Sequence, residues 1–545
     1  MKLLLLLSIV TFASCDRIVT TTNGPVKGTS LSPKKVVAFL GIPYAEPPVG
    51  PLRFAKPVPK SFWEELYLAK EFPPSCMQFP LGDLHYAPDP NGKMSEDCLY
   101  LNIWVPEGGS DAKPIMLFIH GGGFVFGSSN TRVYDGANLS EHGDVIVVTI
   151  NYRVGTLGFF SGFVEDAAGN MGMYDQVMAI QWIKDNAKHF GGDPDNILLF
   201  GESAGGFSTS MHLISPLSKG LFRRAILQSG TVVSPLFKNN DALQMMSQYT
   251  ASLLGCADEN NSLNKNPQSV INCMKDLPAE KFIQGDGILM KSGVMMLPRI
   301  GDSFLPESTL DTYKNGNFKD TEIMLGVTSN EGALLLTMNR ENAGWFGEKV
   351  EVQNFNETSA RQYLKHFTQN SDIYSGIIQE YFDRVKMDPG YTYLQATADI
   401  IGDLIITCGA VFQADYYSLR DNPVYFYVFD YRPDSTPLPE WMGAAHFDEM
   451  QYVFGNPMHQ EFTGYEKEFS GDIMDMWVAF AKTGNPNIPG SVEWPRYSFQ
   501  DPKYLVLSKR DRVDVKPDNN RCESWRKIFE TEITEDTLEK FKKEA

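Results

Sequence analysis

Apolar residues recur along this chain in short unbroken runs: Val36 to Leu40, Ile115 to Ile119, Val145 to Ile150, Ile197 to Phe200, Ile323 to Leu325 and Val424 to Phe429. Runs of this length, apolar at successive positions and not at alternate ones, predict strands buried on both faces. Between the third and fourth runs, Asp175 to His189 carries Val177, Ile180 and Ile183 at helical spacing, with Trp182 among them and Gly191-Gly192 past the end. That pattern predicts a helix. Phe207 to Ile214, after the fourth run, can also be helical. Strand, helix, strand in this order predicts an α/β fold with a large, mostly parallel sheet flanked by helices. No internal repeat, low-complexity tract or linker divides the chain, so one unit is expected over 16–545.

The first residues break this pattern. Met1-Lys2, the apolar run Leu3 to Val10 and the small residues from Ala13 to Cys15 have the order of a secretory signal peptide, 1–15, which puts the mature start at Asp16. Removal of Cys15 leaves Cys76, Cys98, Cys256, Cys273, Cys408 and Cys522, an even set suited to disulfides in an oxidising compartment. Spacing alone leaves their pairing open. Sequons at Asn138, Asn260 and Asn356 agree with passage through a secretory pathway. The end of the chain, Leu538 to Ala545, is charged and has no lipid-anchor signal, so a secreted product without a membrane anchor is expected. A net charge of −19 excludes a nucleic-acid partner, which needs a basic footprint.

Chemistry enters at Gly201-Glu202-Ser203-Ala204-Gly205. A G-x-S-x-G between a strand and a helix is the nucleophile elbow, a turn so sharp that small residues must flank the serine. It holds Ser203 Oγ at a helix N-terminus, where N–H groups favour negative charge. The strand Ile115 to Ile119 runs into His120-Gly121-Gly122-Gly123-Phe124, whose glycines let N–H groups face a cavity. Gly122, Gly123 and Ala204 are therefore the candidate oxyanion-hole donors. The run fits neither G-x-G-x-x-G nor the lysine-bearing P-loop, and no cofactor or metal is expected.

A serine needs a base and a group to orient that base. Of eight histidines, His446 is the candidate base, in a polar loop after the strand Val424 to Phe429, where strand-end catalytic groups belong. Its charge change is expected near neutrality. His189 and His212 have blander readings, a helix C-cap and a packed position. The acid belongs between serine and histidine in chain order, and Glu331 fits, in a loop after Ile323 to Leu325.

Together with Phe39 to Ala45, Ser95 to Trp104, Asn330-Glu331-Gly332 and Gly443 to His446, these segments resemble the type-B carboxylesterase and cholinesterase family over nearly the whole mature chain. The resemblance implies an α/β-hydrolase fold, a deep gorge, a triad of Ser203, Glu331 and His446, and hydrolysis of a small-molecule ester. It also implies supporting roles for Glu202 and Glu449, and disulfides Cys76 to Cys98, Cys256 to Cys273 and Cys408 to Cys522. Where acetylcholinesterases stack choline on a tryptophan this chain has Pro88, and two further aromatic positions are Leu334 and Leu335. Ser292 and Val294 replace the phenylalanines that narrow the acyl pocket. A wider, more apolar pocket is expected, with Tyr86 the nearest aromatic to the lost cation site.

Overall fold

The computed structural model describes residues 16–80, 92–108, 112–237, 240–291, 295–338, 355–367, 372–434, 436–458, 462–518 and 520–531. Its centre is an eleven-stranded sheet. In chain order the strands are β1 (Thr29–Ser30), β2 (Val36–Pro43), β3 (Tyr100–Pro106), β4 (Lys113–Ile119), β5 (Ile146–Ile150), β6 (Gly192–Glu202), β7 (Arg224–Gln228), β8 (Ile323–Thr328), β9 (Val424–Phe429), β10 (Lys503–Leu507) and β11 (Arg512–Val515). In space they run β11-β10-β9-β8-β7-β6-β4-β5-β3-β2-β1. Every pairing from β5 through β10 is parallel, and both flanks are antiparallel. The run Val36 to Leu40 thus lies in the antiparallel flank, although it reads like a parallel-sheet strand. It is buried all the same.

Why the strands read as continuous apolar runs is clearest in β9. Successive side chains of a strand point to opposite faces. Val424, Phe426 and Val428 join one apolar cluster, while Tyr425, Tyr427 and Phe429 join a second on the other face. Helices cover both. Helices packed around the sheet include α1 (Gly155–Phe159), α2 (Met171–Asn186), α3 (Ala204–Ile214), α4 (Ala279–Lys291), α5 (Glu331–Met338), α6 (Tyr393–Gly402), α7 (Cys408–Ser418), α8 (Gly464–Thr483) and α9 (Cys522–Phe529). The face of Tyr427 is closed by α8, which begins at a Thr463–Glu466 capping box and brings down Trp477, fully buried. α6 and α7 are joined by one π-helical turn, Asp403–Thr407. The stretch 393–418 is long and apolar enough to cross a membrane, but 83% of its most apolar 18-residue window is buried inside the protein, as a core helix is.

Three disulfides are present: Cys76–Cys98, Cys256–Cys273 and Cys408–Cys522. The last ties α9 to α7 across 114 residues. Of the sequon asparagines, Asn260 and Asn356 are exposed. Asn138 is half-buried, its amide nitrogen donating to Gly455 O at 2.8 Å.

Candidate active site

β6 ends at Glu202 and α3 starts at Ala204, so Ser203 alone makes the turn, at φ 53° and ψ −121°. A non-glycine residue there carries strain of about 1–3 kcal/mol, which persists only when the surroundings hold it. Ser203 N donates to Gln228 O at 2.9 Å on β7, and Phe207 N donates back to Ser203 O at 2.8 Å. Gly205 lets α3 come in close: a Cβ there would sit 1.9 Å from Ile119 O on β4. Any side chain would push the helix, and with it Ser203, off the sheet.

β4 lies beside β6, Ile119 opposite Gly201, so the glycine loop emerges next to the serine. Gly122, Gly123 and Phe124 take φ 107°, 60° and 63° in succession. Among the described residues the N–H groups of Gly122 and Gly123 have no acceptor within the protein, and Ala204 N is the first, unbonded N–H of α3. The loop is fastened from behind. Tyr152 OH donates to His120 O at 2.9 Å and its ring stacks on the His120 imidazole at 4.3 Å. The next residue, Arg153, grips Asp175 through Nε and Nη2 at 2.8 and 2.7 Å. Burial lowers His120 to about 4, so it is neutral here.

Glu331 opens helix α5 instead of lying in a loop. Its Oε1 accepts from Ser229 Oγ at 2.6 Å and Thr328 N at 2.7 Å, and its Oε2 lies 2.6 Å from His446 Nδ1. The two loops meet directly, Asn330 N donating to Ala444 O at 3.1 Å. Within the histidine loop, Asp448 Oδ2 accepts Ala445 N at 2.8 Å, and Phe447 takes φ 85°. The other imidazole nitrogen, Nε2, stands 3.2 Å from Glu202 Oε1. That pair lacks hydrogen-bond alignment, since Glu202 Oε1 has no hydrogen bond. Among the described residues the structure joins Glu331 to His446, and no hydrogen bond links Ser203 Oγ to His446. Such contacts commonly tighten only when substrate is bound.

Burial alone would depress His446, but the Glu202 and Glu331 carboxylates overcome it and push the imidazole up to about 9. Glu202 is itself held well above its ordinary value, by burial first and then by Glu449 and Glu331. These two shifts oppose each other. Glu202 adds to the upward push on His446 only in its ionised form, whereas Glu331 faces Nδ1 directly at 2.6 Å. Glu449 is pushed up to about 7 by burial and by Glu331, and its Oε1 accepts from Gln228 Nε2 at 3.1 Å. Gln228 Oε1 in turn accepts Trp477 Nε1 at 3.2 Å.

Gln228 and Ser229 were not legible as site residues. The signal that could have found them is the polar Gln228-Ser229-Gly230 ending β7, the strand beside the serine's own. His189 is exposed, and His212 is buried and bonded to Ser218 and Gln176, so neither joins the site. Leu334 is buried and Leu335 half-buried on α5. Tyr86, Pro88, Ser292 and Val294 lie outside the described residues, as does 1–15. Among the described residues the one grouping with metal-ligand geometry is Asp403, Cys408 and Cys522, whose sulfurs are bonded to each other.

Residues 15–525 match the carboxylesterase family. The chain is 38% identical over 539 residues to acetylcholinesterase-1 of Trittame loki, covering 94% of each chain. It is 34% identical over 533 residues to a cholinesterase of Mus musculus, covering 94% of this chain and 87% of that one. Over 545 residues it is 35% identical to an acetylcholinesterase of Leptinotarsa decemlineata, covering 93% and 85%.

Proposed function

Because the chain belongs to the carboxylesterase family and so is a serine hydrolase of carboxylic esters, we propose that it works through an acyl-enzyme on Ser203. His446 takes the serine proton as Oγ attacks the ester carbonyl, and returns it to the departing alcohol. Water, activated by the same imidazole, then frees the acid. Glu331 fixes the ring by its Nδ1 and stabilises the imidazolium as it forms. The N–H groups of Gly122, Gly123 and Ala204 receive the oxyanion, where each donor is worth about 3–4 kcal/mol of barrier. Glu202, 3.2 Å from the Nε2 that takes the proton, and Glu449 tune the charge around His446.

The observation that carries this reading is the 2.6 Å contact between His446 Nδ1 and Glu331 Oε2, beside a serine held at φ 53°. The test is Ser203→Ala. Turnover of a p-nitrophenyl ester and covalent labelling by an organophosphate should both vanish; a variant still labelled at one site per chain would assign the nucleophile to another serine.

In this reading 1–15 directs export and 16–545 is one catalytic unit; the three disulfides support an oxidising compartment. Asn260 and Asn356 are the sequons open to a glycan, whereas the Asn138 amide is already used. The preferred substrate is a neutral ester. A second reading, a choline esterase, is favoured by the names of the relatives.

A further inference from the structure

Asp286, on α4, is 3% exposed and bonded to no member of the proposed triad. Its Oδ1 accepts the Thr156 hydroxyl at 2.5 Å, and the Thr156 N–H is shared between Oδ1 at 3.2 Å and Oδ2 at 3.1 Å. The approach is as close as a backbone permits: Gly155 has φ 58°, and a Cβ on it would lie 2.2 Å from Asp286 Oδ2. The same short helix also touches the glycine loop. Gly155 N donates to Phe124 O at 2.7 Å, and the Phe159 ring meets Phe124 edge-on at 5.2 Å. Phe124, at φ 63°, directly follows Gly122 and Gly123; glycine adopts positive φ freely, but at Phe124 the conformation is strained and needs an external hold.

We propose that Asp286 is a positioning residue for the oxyanion hole: through Thr156 and Gly155 it sets the Phe124 carbonyl and thereby the aim of the Gly122 and Gly123 N–H groups. The inference rests on the Ser203 reading. Burial pushes Asp286 up to about 7, opposed by the two Thr156 donors. A group so costly to bury is kept where one side chain must gather a hydroxyl and an amide at a single point, which an apolar residue of similar size cannot do.

The experiment compares the wild type with Asp286→Asn, Thr156→Val and Thr156→Ser. The readouts are steady-state kinetics on a p-nitrophenyl ester, inhibition by a trifluoromethyl ketone, and organophosphate labelling. The ketone adds to Ser203 and puts an oxyanion in the hole. Asp286→Asn aims a second donor at the Thr156 donors, and Thr156→Val removes the hydroxyl. Both should lower kcat by roughly tenfold to a hundredfold with KM within about threefold, the cost of a slightly misaimed site. The ketone's Ki should rise in parallel. Thr156→Ser, which keeps the hydroxyl, should stay within about twofold of wild type. Should Asp286→Asn fail to fold, the Thr156 pair decides. Variants that keep wild-type kcat and Ki overturn the proposal, as does a fall in kcat with Ki unchanged. A wild type that takes no label overturns the Ser203 reading itself, an outcome separate from labelled variants insensitive to the clamp.

Discussion

Glu202, Glu331 and Glu449 crowd one imidazole inside the protein, where each carboxylate favours the charged ring and burial opposes it. Only the neutral ring accepts the serine proton, so activity belongs above the His446 pKa and is lost as pH falls through it. The sequence places that transition near neutrality; the carboxylates move it upward. We expect the acid limb of kcat/KM to lie above the ordinary histidine value of about 6.5. Glu202→Gln keeps the shape and abolishes the negative form, so its acid limb should shift to lower pH. A pH profile of both proteins from 5 to 10 decides this, and superimposable limbs would assign the whole upward shift to Glu331. The relevant contacts, Glu202 to His446 and Gln228 to Glu449, span more than 200 residues. No pattern in the chain announces them. Ser203 and the glycine loop are legible because their chemistry needs neighbouring residues in one short turn.

At the scale of elements, β9 and β5 are legible because both of their faces are covered, which leaves no polar position to blur the run. β7 escaped notice for the opposite reason: Arg224 and Gln228 bracket only three apolar residues, although all five are buried, Arg224 beside Glu322 and Gln228 in the site. The helix expected from Asp175 begins earlier, at Met171, and its first turn includes Gly172, packed against Arg153 O where a Cβ would be 2.3 Å away. α9 is held by long-range contacts no periodicity could suggest. Arg526 bonds Asp415 at 2.7 Å, Trp525 Nε1 donates to Tyr381 OH at 2.9 Å, and Cys522 is joined to Cys408. On chain-entropy reasoning, closing a loop of 114 residues stabilises by about 4.7 kcal/mol. Replacing both cysteines by alanine should therefore lower Tm clearly. The kcat/KM of the folded fraction should be retained, since α9 supplies no group to the site. Thermal unfolding and active-site titration together check it; an unchanged Tm would mean that the ion pairs and Trp525 hold α9 unaided.

Across the whole molecule two electrostatic effects must be separated before the substrate can be read. A net charge of −19 attracts any cation from a distance, which speeds the encounter with acetylcholine and fades with salt. A cation site proper acts at contact and is screened far less. The family resemblance implies that Pro88 stands where an aromatic would stack a quaternary ammonium, and that Leu334 and Leu335 stand at two further aromatic positions. A desolvated cation–π contact is worth about 2 kcal/mol, roughly thirtyfold in specificity. We therefore expect kcat/KM for acetylcholine to match that of a neutral acetyl ester of similar size at about 0.15 M salt, with any advantage confined to low salt. On the sequence expectation that Ser292 and Val294 replace the phenylalanines that narrow the acyl pocket, a neutral butyryl ester should react at least as well, each added methylene contributing up to about 0.8 kcal/mol where there is room. The measurement is kcat/KM for the three esters at low and at physiological ionic strength. If acetylcholine wins clearly at both, an aromatic such as Tyr86 supplies the cation site, and the chain shares the substrate for which its relatives are named.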